Sequence, residues 1–340
     1  MKFINTFFLS AFVLCAFYYA CILMMIETPV PAEYWVFEMI TVKKELVKQN
    51  TGKRKIIIAG GSSTLFSIDA EYASVQLGMP VINFGLHAGL RLEKILKEVN
   101  DVVESGDILV LPLEPSYYDC NSKFSLWQIN NIVGWDHDAW KEMSNLEKLD
   151  FVSSVSRTLF VQMIIANIQR IGSSTIIDSR LAVLDSTSAL EKFRIRRIPV
   201  TFRYSAYNLN DHGDMLRTEG SRFGGKDNGF SGPSNVCNKT ANQLVDFIDS
   251  MKAKGVQVFF ANTPYITSGV GMDILRRSES SFLSEFSRVG CFIDKREDLL
   301  FDPKYFFDFK LHLNAEGRSV RTELLIQAIR KNILSGVCGH

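Results

Sequence analysis

The sequence predicts an α/β protein with a parallel sheet and one N-terminal transmembrane helix. Three observations lead to this prediction: short β-branched runs, helical periodicity between those runs, and one long uncharged segment at the start of the chain. Strands that alternate with helices form right-handed βαβ units, whose helices cover both faces of a parallel sheet. The predicted architecture is therefore a three-layer α/β/α sandwich, with a capping insertion where the alternation stops.

Length and composition exclude some classes of protein. A chain of 340 residues suits one large domain with an insertion, or two small domains. The net charge of +1 gives no general electrostatic reason to expect nucleic-acid binding. Cysteine and histidine do not occur at the spacing of a zinc site. The four cysteines beyond the N-terminal segment are compatible with two disulfides or with free thiols: Cys120, Cys237, Cys291 and Cys338.

The N-terminal segment predicts a membrane anchor. No charged residue occurs from Phe3 to Ile26, and a helix of that length, at about 1.5 Å per residue, spans a hydrocarbon core of roughly 30 Å. A cleaved signal peptide would have a shorter apolar run and a small-x-small cleavage site, which this segment lacks. Positive charges on the two sides nearly balance, with Lys2 before the segment and Lys43 and Lys44 after it. We expect an uncleaved single span (residues 1–27) with the bulk of the chain outside the cytoplasm.

The remaining chain shows the predicted alternation, interrupted once. After an amphipathic stalk at 28–54, apolar runs typical of buried parallel strands occur at 55–60, 80–85, 107–113 and 256–261, with a weaker fifth at 291–294. Helical periodicity occurs at 90–103, 241–251, 274–286 and 319–333. We expect residues 55–119 and 236–340 to form the domain that contains the sheet, and residues 120–235 to form an insertion that caps the carboxyl end of this sheet.

A serine follows the first predicted strand directly, in Gly60-Gly61-Ser62-Ser63. A serine at a strand-to-helix turn presents its hydroxyl at the carboxyl edge of the sheet, and its own N–H can face a developing oxyanion. The alternative is an ordinary turn in which the serine caps a helix. The glycine patterns of phosphate-binding loops are absent.

A second motif precedes the last predicted helix and contains Asp308 and His312. A serine nucleophile needs a base that takes its proton, and that base needs a carboxylate that fixes its tautomer. One loop could supply both groups, while Asn314 caps the helix that follows and Gly317 lies in its first turn. Taken alone, His312 is best interpreted as an ordinary loop residue.

Together, strand–Gly-x-Ser at the start and Asp…His-Leu-Asn-x-x-Gly before the last helix resemble the SGNH (GDSL-like) hydrolase superfamily. The membrane-anchored members associated with cell-envelope polysaccharides are the most similar. The resemblance covers roughly residues 55–118 and 236–335 and leaves the insertion unmatched. It implies an SGNH, flavodoxin-like fold and a catalytic triad of Ser62, Asp308 and His312, with Ser62 rather than Ser63 as the nucleophile.

The resemblance also implies an oxyanion site, although the chain departs from the family pattern there. The segment from Asn83 to Gly89 resembles the second family block, so the N–H groups of Ser62 and Gly85 would stabilise the oxyanion, with Asn83 as a further candidate donor. Gly61 replaces the usual aspartate before the serine. Glu114 follows the third strand, where the family has Gly-x-Asn-Asp, so its asparagine donor is missing. The Asp-to-His spacing is four residues instead of the commoner three.

The expected function is that of an esterase or an O-acyltransferase that acts on cell-envelope or extracellular polysaccharide. D-alanyl transfer in the envelope is another enzymatic option. A non-catalytic SGNH-like scaffold of a polysaccharide biosynthesis or export complex is the alternative from a different class. The membrane and an acylated glycan are the expected partners, and neither a metal nor an organic cofactor is implied. His87, which follows the second strand, could line the pocket or have a purely structural role.

Overall fold

A computed structural model describes residues 2–26, 28, 30–119, 123–172, 185–224, 232–267 and 271–336. Its helices are α1 (Lys2–Met25), α2 (Tyr34–Lys48), α3 (Ser62–Ser67), α4 (Ala70–Leu77), α5 (Leu92–Asn100), α6 (Leu126–Gly134), α7 (His137–Glu142), α8 (Asn145–Ser154), α9 (Arg157–Gly172), α10 (Ser186–Arg194), α11 (Asn238–Ala253), α12 (Met272–Phe286) and α13 (Ala315–Ile329). Its strands are β1 (Ile56–Gly60), β2 (Val81–Gly85), β3 (Ile108–Leu111), β4 (Gln257–Phe260), and the two-residue β5 (Tyr265–Ile266) and β6 (Leu300–Phe301).

The chain divides into two compact units. The first unit comprises Met1–Glu38 and Ser122–Ala189, and the second comprises Met39–Asn121 and Leu190–His340. The segment that the sequence predicts as a single capping insertion, 120–235, is therefore divided between the two units. Its glycine-rich part at 225–231 lies outside the described residues.

The second unit contains a four-stranded parallel sheet in the order β2-β1-β3-β4. These strands are the first four predicted apolar runs, so the prediction of an α/β protein with a parallel sheet is confirmed. The fifth run does not form a strand: Phe292 makes a single parallel bridge to Phe260. The predicted helical segments correspond to α5, α11, α12 and α13. The three-layer arrangement stays a prediction.

The core of this unit lies between the sheet and two helices. Every second residue of a strand faces the same side of a sheet, and Ile56 and Ile58 of β1 pack in one buried cluster with Leu325 and Ile329 of α13. Residues of α4 join the same cluster. Because the four strands are parallel, they all end at one edge of the sheet. The segments that follow β1, β2 and β3 are therefore brought together at this edge.

The first unit is helical and contains the predicted anchor. Helix α1 is long and apolar enough to cross a membrane, with a mean hydropathy of 2.2 from Ile4 to Met25. Its C-terminal residues Ile22 and Met25 belong to a buried cluster that is shared with α6, α8 and α9. Part of the segment predicted to cap the sheet thus packs with the end of the apolar helix.

The cysteines of the two units differ in their chemical state. Cys15 and Cys21, both in α1, are free thiols. Cys237 and Cys291, in the second unit, are disulfide-bonded. Cys120 and Cys338 lie outside the described residues. Disulfides persist in oxidising compartments, so the second unit carries a feature of exported proteins.

Candidate active site

The serine turn, residues 60–63, connects β1 to α3 and is held by a buried carboxyl group. The N–H of Gly61 donates to Glu114 Oε2 at 3.0 Å, and the N–H of Ser63 donates to Glu114 Oε1 at 2.7 Å. Glu114 lies in the loop after β3 and is 1% exposed. One side chain therefore satisfies two of the N–H groups that a helix start leaves without partners.

Position 61 requires glycine because there is no room for a Cβ, and not because of its backbone conformation. Its φ of −87° is accessible to any residue. A Cβ at this position, however, would lie 2.5 Å from Glu114 Oε1. The carboxyl group of Glu114 thus occupies the space that a side chain at position 61 would need. The two departures from the family pattern, at positions 61 and 114, contact each other.

The protonation of Glu114 changes near neutral pH. Burial raises the pKa of its carboxyl group to about 7, although the hydrogen bonds from Ser63 and Gly61 partly oppose the shift. The charged form is costly inside the protein, but it is also the better acceptor for two N–H donors. The serine turn is therefore coupled to a group that titrates near neutral pH.

The histidine loop, residues 307–312, is a tight turn before α13. The N–H of Phe307 donates to the carbonyl of His312 at 2.8 Å, and the N–H of His312 donates to the carbonyl of Phe309 at 3.0 Å. Asp308 Oδ1 and His312 Nδ1 are 2.8 Å apart. The structure therefore brings together the predicted aspartate and histidine, and the turn accommodates their four-residue spacing.

The C-terminal side of the histidine loop is fixed by the predicted helix cap. Asn314 Oδ1 accepts the N–H of Gly317 at 2.9 Å, in the first turn of α13. A Cβ at Gly317 would lie 2.7 Å from the carbonyl oxygen of Tyr305, so only glycine fits this position without a shift. The cap predicted from the sequence is confirmed.

Asp308 has a second partner from the segment after α10. The hydroxyl of Tyr204 donates to Asp308 Oδ2 at 2.5 Å. Burial by itself raises the pKa of Asp308, but the hydrogen bonds from His312 and Tyr204 outweigh this effect and lower the pKa overall. An ionised Asp308 accepts the proton on Nδ1 of a neutral His312, which leaves a lone pair on Nε2. This is the tautomer that a general base requires.

The imidazole of His312 packs against the helix that begins at Ser62. The imidazole stacks on the ring of Phe66, with centroids 4.1 Å apart and planes at 5°. Ser62 and Phe66 are four residues apart in α3 and therefore lie on the same face of this helix. His312 is 7% exposed, and its Nε2 atom is buried without a hydrogen-bond partner in the described part of the chain. Ser62 Oγ therefore does not donate to Nε2 in this structure.

The structure places the predicted oxyanion donors Gly85 and Asn83 inside the fold. The N–H of Gly85 donates to Asn83 Oδ1 at 2.9 Å, and Asn83 Nδ2 donates to Asp214 Oδ1 at 3.1 Å. A Cβ at Gly85 would lie 2.2 Å from the backbone nitrogen of Leu65, so glycine permits α3 to pack on β2. An oxyanion role for either residue would require it to leave these partners.

His87, in the loop after β2, lies close enough to His312 for their charges to interact. Burial, and to a lesser extent His312, lowers the pKa of His87 to about 4. Its Nδ1 atom accepts the N–H of Gly89 at 3.0 Å. A neutral imidazole that accepts at Nδ1 carries its proton on Nε2. His87 is therefore a neutral hydrogen-bond donor at neutral pH, in the neighbourhood of the candidate base.

No protein-family profile, curated protein or solved structure matches this chain. Across the described ranges, no group of three or more His, Cys, Asp or Glu side chains could hold a metal ion.

Proposed function

We propose that this protein is a membrane-anchored serine esterase or O-acyltransferase of the SGNH type, with Ser62, His312 and Asp308 as its triad. The observation that carries the proposal is the Asp308–His312 pair: among the described residues, His312 Nε2 is buried without a partner, and its ring stacks on the face of α3 that bears Ser62. Leaving a buried polar atom unsatisfied costs about 1–3 kcal/mol. A proton-accepting role accounts for an imidazole whose Nδ1 is bonded to Asp308 while its Nε2 has no partner among the described residues.

In the proposed reaction, Ser62 Oγ attacks the carbonyl carbon of an acyl ester while His312 Nε2 takes its proton. The tetrahedral intermediate collapses when the imidazolium returns that proton to the leaving alkoxide oxygen, which leaves the acyl group on Ser62. Water, in an esterase, or a sugar hydroxyl, in a transferase, then attacks the acyl-enzyme while His312 takes its proton. The bond between the acyl carbon and Ser62 Oγ breaks as the imidazolium returns that proton to Oγ, which releases the product and restores the enzyme. Asp308 stabilises the imidazolium in both steps and stays ionised.

Two N–H groups would stabilise the oxyanion. The resemblance assigns the first to Ser62. For the second, the chain lacks the asparagine of the family pattern, and the N–H of Gly85 is already bonded to Asn83. His87 supplies an alternative, because its neutral ring carries the proton on Nε2 and lies near His312. Removal of one oxyanion donor typically costs 10²–10³ in rate, so the assignment can be measured.

The proposed substrate is an acylated polysaccharide of the cell envelope or the extracellular space. The resemblance to envelope-associated members of the superfamily supports this choice of substrate. The disulfide-bonded Cys237 and Cys291 support an oxidising location. We therefore infer that α1 holds the protein in the cytoplasmic membrane with the second unit outside the cytoplasm.

A non-catalytic scaffold of a polysaccharide assembly complex is the second candidate. It is favoured by the missing Gly-x-Asn-Asp block and by the absence of a hydrogen bond between Ser62 and His312. Catalytic hydrogen bonds are often long in ligand-free sites and tighten when the substrate binds, so this absence does not exclude catalysis.

The test is covalent labelling of the full-length protein, in detergent, with a fluorophosphonate probe. We expect labelling of the wild type and its loss in Ser62→Ala and in His312→Ala. Ser63→Ala is the matched control: Ser63 is also buried and adjacent in the same turn, but the resemblance assigns the nucleophile to Ser62, so labelling should persist. A folded wild-type protein that is never labelled would support the scaffold. Labelling lost only in Ser63→Ala would assign the nucleophile to the next residue.

A further inference from the structure

Helix α9 carries a second apolar face that the described residues leave exposed. Its buried face, with Leu159 and Met163, packs in the core of the first unit. On the opposite side, four apolar residues at spacing i, i+3, i+4, i+7 are 38–62% exposed: Val161, Ile164, Ile165 and Ile168. A helix that is apolar on two opposite faces is unsuited to water and needs a partner on the second face.

The position of this stripe relative to α1 indicates the partner. The rings of Tyr18 in α1 and Phe160 in α9 lie 5.0 Å apart. Farther along both segments, Asn167 Nδ2 donates to Thr28 Oγ1 at 2.7 Å. Helix α9 therefore runs beside the C-terminal part of α1, in the same direction.

The depth of this contact in a bilayer can be calculated from helix geometry. Tyr18 precedes Met25, the last residue of α1, by seven positions, which corresponds to about 10 Å at 1.5 Å per residue. An apolar segment such as Ile4–Met25 only just spans a hydrocarbon core of about 30 Å. If α1 spans the membrane, the level of Tyr18 lies inside the leaflet that holds the C-terminal end of α1. The start of α9 lies at the same level.

The connection between α8 and α9 is suited to such a depth. The two helices meet at 94°, and non-helical backbone in a membrane needs partners for its polar groups within the protein. The hydroxyl of Tyr18 donates to the carbonyl oxygen of Val155 at 3.5 Å. Ser156 Oγ accepts the N–H of Leu159 at 3.1 Å, and the hydroxyl of Ser154 donates to the carbonyl of Asp150 at 2.8 Å.

We propose that the bend between α8 and α9, with the first turns of α9, inserts into the lipid bilayer beside α1, and that acyl chains cover the N-terminal part of the stripe, Val161 and Ile164. Ile168 lies level with Thr28, beyond the end of α1, and therefore at the membrane surface. Leu146 and Leu149 of α8, which are 79% and 56% exposed, extend the apolar surface next to the bend, whereas the charged Glu147, Lys148 and Asp150 restrict α8 to the interfacial layer. Arg157, at the start of α9, reaches the phosphate layer with its long side chain, as arginines near membrane surfaces do. This inference depends on α1 as a membrane span and is independent of the proposed catalysis.

The experiment measures directly whether lipid, water or protein surrounds Val161. The full-length protein, with Cys15→Ser and Cys21→Ser, is reconstituted in vesicles of phosphatidylethanolamine and phosphatidylglycerol. A nitroxide label is attached at Val161→Cys, and its relaxation is measured with oxygen, which concentrates in lipid, and with a water-soluble nickel complex. Leu14→Cys in α1 is the lipid-facing reference, and Lys252→Cys, on the exposed side of α11, is the water-facing reference.

We expect the label at Val161 to behave like the label at Leu14, with oxygen the more effective relaxer. Behaviour like that of Lys252 would show that the stripe faces water and would overturn the proposal. Protection from both relaxers would show that protein covers the stripe, such as a second copy of this chain, and would overturn it as well. Since Val161 is half exposed, its replacement by cysteine should not disturb folding.

Discussion

The serine turn and the histidine loop are held in position in opposite ways. The serine turn is fixed through its backbone, because two of its N–H groups bind the buried carboxyl of Glu114. The histidine loop is fixed through side chains, because Asp308 binds both the imidazole and the hydroxyl of Tyr204, which is 43% exposed. Substitutions of Glu114 should therefore alter the fold, whereas substitutions around Asp308 should alter the chemistry and leave the fold intact.

Asp308→Asn gives the largest expected effect, and it tests whether the histidine loop determines the chemistry without determining the fold. The amide can present its NH₂ group to Nδ1 and stabilise the wrong tautomer of His312, which moves the proton to Nε2. In triads of this kind the change costs ~10⁴ in rate. We expect a comparable fall in the rate of fluorophosphonate labelling.

The thermal stability of Asp308→Asn should remain close to that of the wild type, because Asp308 is half-buried and the backbone bonds of the turn persist. Loss of labelling together with unfolding would show that Asp308 is a structural residue. Unchanged labelling would remove Asp308 from the triad.

The loop after β2 contains His87, the proposed second oxyanion donor. His87→Ala removes the proposed oxyanion donor, and we expect labelling to slow by about 10²–10³. His87→Gln is the matched variant, since its amide retains an N–H donor and should recover much of the rate. Equal rates in the two variants would indicate that His87 only fills space, and the second donor would have to come from elsewhere.

The strands and the histidine loop were predictable because their signals are local. Buried parallel strands select continuous β-branched runs, and Asp308 and His312 occur within one turn of the chain. The fifth apolar run formed only one bridge, at Phe292, and a short apolar run does not distinguish a strand from such a bridge.

The contacts that hold the site were not predictable, because they join distant positions. Glu114 meets Gly61 across 53 residues, and Tyr204 meets Asp308 across 104. A glycine before a serine predicts a turn, and nothing in the sequence shows that a carboxyl group occupies the space beside it. The packing of α6, α8 and α9 with the end of α1 was not predictable either, since an apolar helix suits a soluble core and a membrane surface equally well.

The pH dependence of the free energy of unfolding tests the role of Glu114, which holds the serine turn. The pKa of Glu114 is about 7 in the folded protein, against 4.5 for an ordinary glutamate. Its favourable contribution to stability is therefore fully present below pH 4.5 and is lost as the pH rises to about 7. One pKa unit corresponds to about 1.4 kcal/mol, so the loss is on the order of 3 kcal/mol.

The measurement is urea unfolding of the detergent-solubilised protein at pH 5 and pH 8, with Glu114→Gln as the reference. Glutamine does not titrate, so the stability of the wild type relative to this variant should fall by that amount between the two pH values. A difference that stays constant with pH would contradict a strongly raised pKa. The same substitution should also reduce labelling, because one N–H of the serine turn then faces an amide NH₂ group.

The smallest expected effect concerns Tyr204, on the exposed side of Asp308. Tyr204→Phe removes the hydroxyl that donates to Oδ2 and retains the ring contacts with Phe66 and Phe202. At a half-exposed site the loss of one such bond is worth about 1 kcal/mol, so labelling should slow about fivefold. The pKa of Asp308 should also rise, since Tyr204 helps to lower it, and the acidic limb of the pH–rate profile should move to higher pH. A slower rate with an unshifted profile would mean that Tyr204 only packs against the site, whereas a shifted profile would show that a residue outside the triad sets the charge of Asp308.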